Sequence, residues 1–358
     1  MLTREVGARA GRSGERAPMR LDNGVATRLI AYALVLCTTL ICGGCSSQAA
    51  LKQDADAATK ASQRGDYKAA ADDLSPIVAA DSQNPNVYMA RAYAYFEAGE
   101  NQRAIADVTR ASELEPDAAF YLLARSYGYS RTGELDRALD DANSAIQLAP
   151  NTADCYAQRG FVHMAMGNSA SALPDLDHAI KLDPNSAIYR VQKGFALGMQ
   201  GRYADAQREW ETAIRMRPGY GPSYSALAWM QATCPDARFR SAKQAVENGK
   251  RGAELGAPTM LAALVSMGLL RANAKVKPNQ SEPSLAWSLD ALAAAYAEAG
   301  DFRTAVAVQQ QAIAHNKTTP NPLAVQEKRL LALYRAQKSY RGGFDFVVPA
   351  LPWIVLPS

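Results

Sequence analysis

Histidine and cysteine are scarce in this 358-residue sequence, with three and five copies. His163, His178 and His315 form no pair at the helical spacing that a metal site uses. Beyond residue 45 only Cys155 and Cys234 remain, and no C-x-x-C occurs there, so zinc and c-type haem lose their usual signature. Nothing in their spacing recommends a disulfide. A glycine-rich phosphate loop after a strand is missing, and so is a serine nucleophile elbow. Cys155 and His163 stand eight apart on one expected helix, too far for a nucleophile–base contact. Charge of one sign is also in short supply. The formal net charge is +4 with the basic residues scattered, which does not make the basic stripe that nucleic acid needs. These absences point to a chain that is no enzyme, holds no cofactor or metal, and binds no nucleic acid.

The N-terminus reads as an export signal. Residues 1–28 are arginine-rich and an apolar run extends from Leu29 to Ile41, too short to span a bilayer comfortably. It ends in Cys42-Gly43-Gly44-Cys45-Ser46, which resembles the lipobox of bacterial lipoproteins. Cys42 departs from that motif, which prefers leucine there. The resemblance implies cleavage after residue 44, acylation of Cys45 and a membrane anchor. Ser46 after the cysteine then implies the outer membrane, facing the periplasm, where there is one. The start is open between Met1 and Met19. Residues 45–50 read as a tether.

Three ladders dominate the rest of the chain. Gly65, Gly99, Gly133, Gly167 and Gly201 recur every 34 residues, with Ala70, Ala104, Ala138, Ala172 and Ala206 in the same register. Pro116, Pro150, Pro184 and Pro218 keep that phase. Each column has a physical reason. The glycine ends one helix in a backbone that other residues resist, the alanine admits a close second helix, and the proline stops that helix. The pattern resembles the tetratricopeptide repeat, and the resemblance implies an all-α, right-handed α-solenoid of helix-turn-helix units. Five units in register occupy 51–220 and an irregular unit with a long turn occupies 221–256. An insert helix (Met260–Ala272) and a polar linker fill 257–283. A further unit covers 284–317, a capping helix 320–338, and an apolar, proline-containing tail 339–358.

With the glycine at position 15 of a unit, positions 5, 9 and 12 share a helix face. In the family that face lines the concave groove. Position 9 carries Tyr93, Tyr127, Phe161, Phe195 and Trp229; position 5 adds Met89, Leu123 and Val191; position 12 adds Phe96 and Met164. These ten residues are the candidate ligand-binding groove, an apolar trough for an extended or helical peptide. Plain packing of the rings between repeats weighs equally. Aromatic residues where a carboxylate clamp would place asparagine argue against that family function. Position 7 (Arg91, Arg125, Arg159, Lys193) and position 23 (Asp73, Asp107, Asp141, Asp175, Glu209) match in opposite sign, which favours ion pairs within each hairpin over a charged ligand strip. His163, at position 11, is expected to be packed.

The sequence therefore suggests a non-enzymatic protein–protein interaction scaffold of the bacterial cell envelope, with unidentified envelope proteins as partners and a homo-oligomer as one option. The alternative is a binder of a cell-wall glycan or stem peptide in the same groove. The tail, broken by Pro349, Pro352 and Pro357, is expected to fold back or to dock on a partner.

Overall fold

A computed structural model describes residues 45–256, 285–315 and 324–343. Fifteen α-helices and no strand occur among them. The first ten make five hairpins: α1 (Cys45–Gln63) with α2 (Tyr67–Ala80), α3 (Pro85–Glu97) with α4 (Asn101–Leu114), α5 (Ala119–Thr132) with α6 (Leu135–Leu148), α7 (Ala153–Ala165) with α8 (Ser169–Leu182), and α9 (Ala187–Met199) with α10 (Tyr203–Met216). The irregular unit comes next as α11 (Gly221–Thr233), a short 3₁₀ turn and α12 (Ala242–Gly256). Last come α13 (Leu285–Glu298), α14 (Phe302–His315) and α15 (Ala324–Arg335). Residues 45–50 open α1 and are no separate tether. The signal and its lipobox, the insert helix and linker, and the tail from 344 onward lie outside the described residues.

The glycine ladder works as its spacing suggests. All five in-register glycines adopt left-handed backbone, with φ between 74° and 81°. At Gly133 the amide then donates back to Ser130 O, closing the end of α5. In two hairpins a glycine at position 8 of the first helix makes room for a large side chain at position 24 of the second. Gly160 faces Leu176, and Gly194 faces Trp210 so closely that an added Cβ would meet the indole at 2.3 Å. The indole is fixed by a 3.1 Å hydrogen bond from its Nε1 to Val191 O.

The charged columns pair as expected. Arg91, Arg125 and Arg159 each donate Nε and Nη2 to Asp107, Asp141 and Asp175 at 2.7–2.8 Å. Two of these arginines also reach the preceding unit, Arg91 to Ser75 Oγ (3.2 Å) and Arg159 to Asn143 Oδ1 (3.0 Å). Lys193 does the same with Asp177 and Glu209, at 2.8 and 3.0 Å. Arg91, Arg159 and Lys193 each thus tie together three helices from two units, whereas Arg125 pairs within its own hairpin. The first unit has Ala57 at that position, and Asp73, without a guanidinium opposite, is raised above the usual carboxylate range by burial.

The stack continues across the undescribed 257–284 segment. The α13 helix packs on both α11 and α12. Small residues make the seam: Ser225 Oγ donates to Ser288 Oγ at 2.9 Å, and Gly249 lies against Leu292. At the end, α15 covers α14 with Leu330 and Tyr334 fully buried.

Candidate functional site

The first helices of the units make the face that the repeat resemblance implies to be concave, and its two ends differ in chemistry. At the N-terminal end, Tyr93 is half-buried and faces Glu97. Arg131, one unit on, donates Nη1 to Phe96 O (2.9 Å) and to the Tyr127 hydroxyl (3.3 Å). Its guanidinium carbon lies 5.6 Å from the Tyr127 ring centroid. Burial raises the Glu97 carboxyl above its ordinary range, against the pull of the Arg131 charge. The Tyr93 hydroxyl is pushed up by burial and by Glu97. The Tyr93 hydroxyl hydrogen-bonds the Glu97 carboxyl, yet Glu97 Oε1 accepts no hydrogen bond from the described residues, and Glu97 and Arg131 as whole side chains stay half-buried.

The C-terminal end is aromatic. Phe195 meets Trp210 edge-on at 5.3 Å and Trp287 at 6.1 Å. Trp229 lies 5.0 Å from Trp287 and 6.0 Å from Tyr340. Its Nε1 donates to Gly343 O at 2.7 Å.

These contacts correct the expectation of an open apolar trough. Met89, Phe96, Leu123, Tyr127, Phe161, Met164, Val191, Phe195 and Trp229 are all buried, and only Tyr93 of the ten keeps partial exposure. Among the described residues, the large apolar side chains left exposed are Leu148, Met166 and Val325, which belong to no such row. The physical reason differs along the array. Phe96 sinks between units, where its ring would sit 3.0 Å from a Cβ at Gly128. Trp229 and Phe195 are covered by Trp287, and Trp229 also by Tyr340, both from remote sequence. Sequence reasoning passes over Glu97 and Arg131, although both stand at position 13 of successive units with opposite charge. Nothing local marks Trp287 or Tyr340 as partners of Trp229.

Reactive groups are placed where they stay quiet. Cys155 and Cys234 are free thiols and both buried, and burial pushes the Cys155 thiol up to about 12. His163 is half-buried rather than in the core, 4.0 Å from Asp175, with its protonation disfavoured by burial. No cluster of three or more metal-ligating side chains occurs among the described residues. None of the described helices is long and apolar enough to cross a membrane.

Family models described as tetratricopeptide repeat match residues 55–119, 89–153 and 153–186. A solved tetratricopeptide repeat protein from Parabacteroides merdae is 17% identical, with a TM-score of 0.50, over 80% of this chain and 99% of its own. TTC0263, a thermophilic repeat protein of Thermus thermophilus, is 20% identical with a TM-score of 0.41, covering 48% of this chain and 92% of its own. MamA from Desulfovibrio magneticus is 16% identical, also with a TM-score of 0.41, over 47% and 96%. No curated protein matches the chain. Residues 55–186 therefore carry tetratricopeptide repeats, and the same stack of helical hairpins continues to α15.

Proposed function

We propose that this chain is a non-enzymatic scaffold that binds partner polypeptides on its concave face and is held to the bacterial cell envelope by a lipid on Cys45. Tetratricopeptide repeats mediate protein–protein interactions, and the site on this chain rests on one observation. At the N-terminal end of this face the Glu97 carboxyl is hydrogen-bonded by Tyr93 and attracted by Arg131, and its Oε1 has no partner among the described residues. An unmet buried acceptor costs on the order of 1–3 kcal/mol, which a donated backbone or side-chain N–H would recover. Aromatic rings, a carboxylate and a guanidinium in one patch suit a polypeptide that offers both donors and acceptors. A sugar would want a broad exposed ring to stack on, and the largest rings of this face, Trp229 and Phe195, are buried. The envelope half of the proposal rests on the apolar run and on the Gly43-Gly44-Cys45 sequence.

The test places a photo-crosslinking residue at Tyr93 and, separately, at the exposed Asp140 on α6, in living cells. The expected result is discrete crosslinked partners from Tyr93 that weaken in a Glu97→Gln/Arg131→Gln background, and none of them from Asp140. Partners from Asp140 alone would move the interface to the convex face. For the anchor, Cys45→Ala should release the protein from the membrane fraction and abolish metabolic labelling with a fatty acid. A variant that stays in the membrane overturns that part.

A further inference from the structure

The row of position-7 cations has one break. Arg91, Arg159 and Lys193 each reach position 25 of the preceding unit, at Ser75 Oγ, Asn143 Oδ1 and Asp177 Oδ1. Position 25 before Arg125 is Thr109, and no such bond forms there. Arg125 gives Nε and Nη2 to Asp141, and its Nη1 has no acceptor among the described residues.

The surface opens at the same place. A cleft of about 630 Å³ lies between α4 and α6, and both Thr109 and Arg125 line it. That volume falls in the range of pockets that hold ligands. The corresponding cleft two units on, lined by Asp177 and Lys193, measures about 250 Å³. The cleft whose cation lacks its inter-unit partner is thus the wider of the two.

Its other walls carry both signs of charge. Arg137 stacks on Tyr129, with the guanidinium carbon 4.0 Å from the ring centroid. Arg110 lines the α4 side and pairs with the exposed Glu113, a contact that yields at little cost. Asp140 on α6 forms no ion pair among the described residues. The three arginines are balanced by three carboxylates, Glu113, Asp140 and Asp141, so the cleft is neutral as a whole. That balance disfavours a multiply charged phosphate. A guanidinium nitrogen can only donate, so Arg125 Nη1 calls for a single oxygen acceptor. In the other units that acceptor is the side-chain oxygen of an amino acid, and Asp177 shows a carboxylate in the role, 2.8 Å from Lys193. A peptide with an acidic residue for Arg125 Nη1 and a basic one for Asp140 supplies what the cleft leaves unmet.

We propose that this cleft is a second polypeptide-binding site, in which an acidic side chain of a partner takes the place that Ser75, Asn143 and Asp177 fill elsewhere in the array. It shares no residue with the Tyr93–Glu97–Arg131 patch, so its contacts are separate from those captured at Tyr93.

The test titrates the full chain, labelled with ¹⁵N-arginine, with a terminally blocked peptide of alternating Glu and Lys spaced by glycine. A second peptide carries Gln in place of Glu. The signal followed is the Arg125 Nε–Hε resonance, assigned by its loss in Arg125→Lys. The expected result is a saturable shift with the Glu peptide and binding at least several-fold weaker with the Gln peptide. Thr109→Asn is a neutral change that supplies the acceptor Asn143 gives to Arg159, and Thr109→Asp copies Asp177. Both variants should keep their helical circular dichroism and bind the Glu peptide at least several-fold more weakly than wild type. A wild-type resonance that does not move, equal affinity for the two peptides, or undiminished binding in both Thr109 variants would overturn the proposal.

Discussion

Gly194 has no room for a methyl group, because the Trp210 indole sits where its Cβ would go and is itself held by Val191 O. Gly194→Ala should therefore overpack the hairpin and cost about 1–3 kcal/mol in denaturant unfolding. Adding Trp210→Leu, which restores the Gly160–Leu176 kind of pairing, should recover part of the loss. A Gly194→Ala protein as stable as wild type would mean that the indole moves freely. A second residue gives a pH signature. Position 4 carries Tyr88, Tyr156 and Tyr224, whose hydroxyls donate to carbonyls six residues back. Tyr189 stands one place early and instead donates to Asp154 of the preceding unit. Burial outweighs that hydrogen bond and raises Asp154 from 3.8 to about 6. Below the lower value folded and unfolded chains both hold the proton. Between the two the unfolded chain loses it first, so stability falls as pH rises from about 4 to about 6, by on the order of 3 kcal/mol. Asp154→Asn, which keeps the acceptor, should remove that segment of the stability–pH curve; an unchanged curve would show that Asp154 does not titrate there.

At the scale of helices, three of the four position-7 cations, Arg91, Arg159 and Lys193, join units as well as hairpins. Arg159 grips Asp175, 8% exposed, with two bonds and reaches Asn143 in the unit before. Arg159→Ala leaves that carboxylate unpaired, with His163 4.0 Å away but reluctant to take a proton, and should cost roughly 1.5–3 kcal/mol. Arg103→Ala removes an exposed pair with Glu100 and should cost under about 1 kcal/mol. Equal effects in thermal melts would deny the inter-unit role. Most of this level is legible from sequence. Gly133, Ala138 and Arg125–Asp141 sit in columns whose spacing encodes a local hairpin, and each meets its partner within the same unit. The concave face is less so. Periodicity groups its ten residues on one side of the first helices, yet their burial at the C-terminal end depends on Trp287 and Tyr340, which arrive from far along the chain. Glu97 and Arg131 are readable as opposite charges one unit apart, but only beside the rings do they become a patch.

A linear array of hairpins frays from its ends, since each unit is held only by its neighbours. This molecule departs from that picture at its C-terminus. A strap, residues 339–343, links back to α11 across 114 positions through the Trp229–Gly343 bond, and to α13 through Ser339 and Arg341. It converts the last three helices from a free end into a closed loop, so α13–α15 should exchange their amide hydrogens about as slowly as the central units. Arg341→Ala removes the pair with Glu298 and the bond to Ala232 O, leaving Glu298 with Arg240 at 3.6 Å as its remaining ion pair. In that variant amide exchange should accelerate across α13, α14 and α15 while α3–α10 keep their wild-type protection. Uniform acceleration over the whole array would mean that it unfolds as one cooperative body, and no acceleration anywhere would mean that the strap holds nothing. The same closure brings Tyr340 onto Trp229 and helps to bury the aromatic rings at the C-terminal end of the first-helix face. The segment that caps the array against fraying is the segment that covers Trp229, so stability at that end and burial of its rings are controlled by the same few contacts.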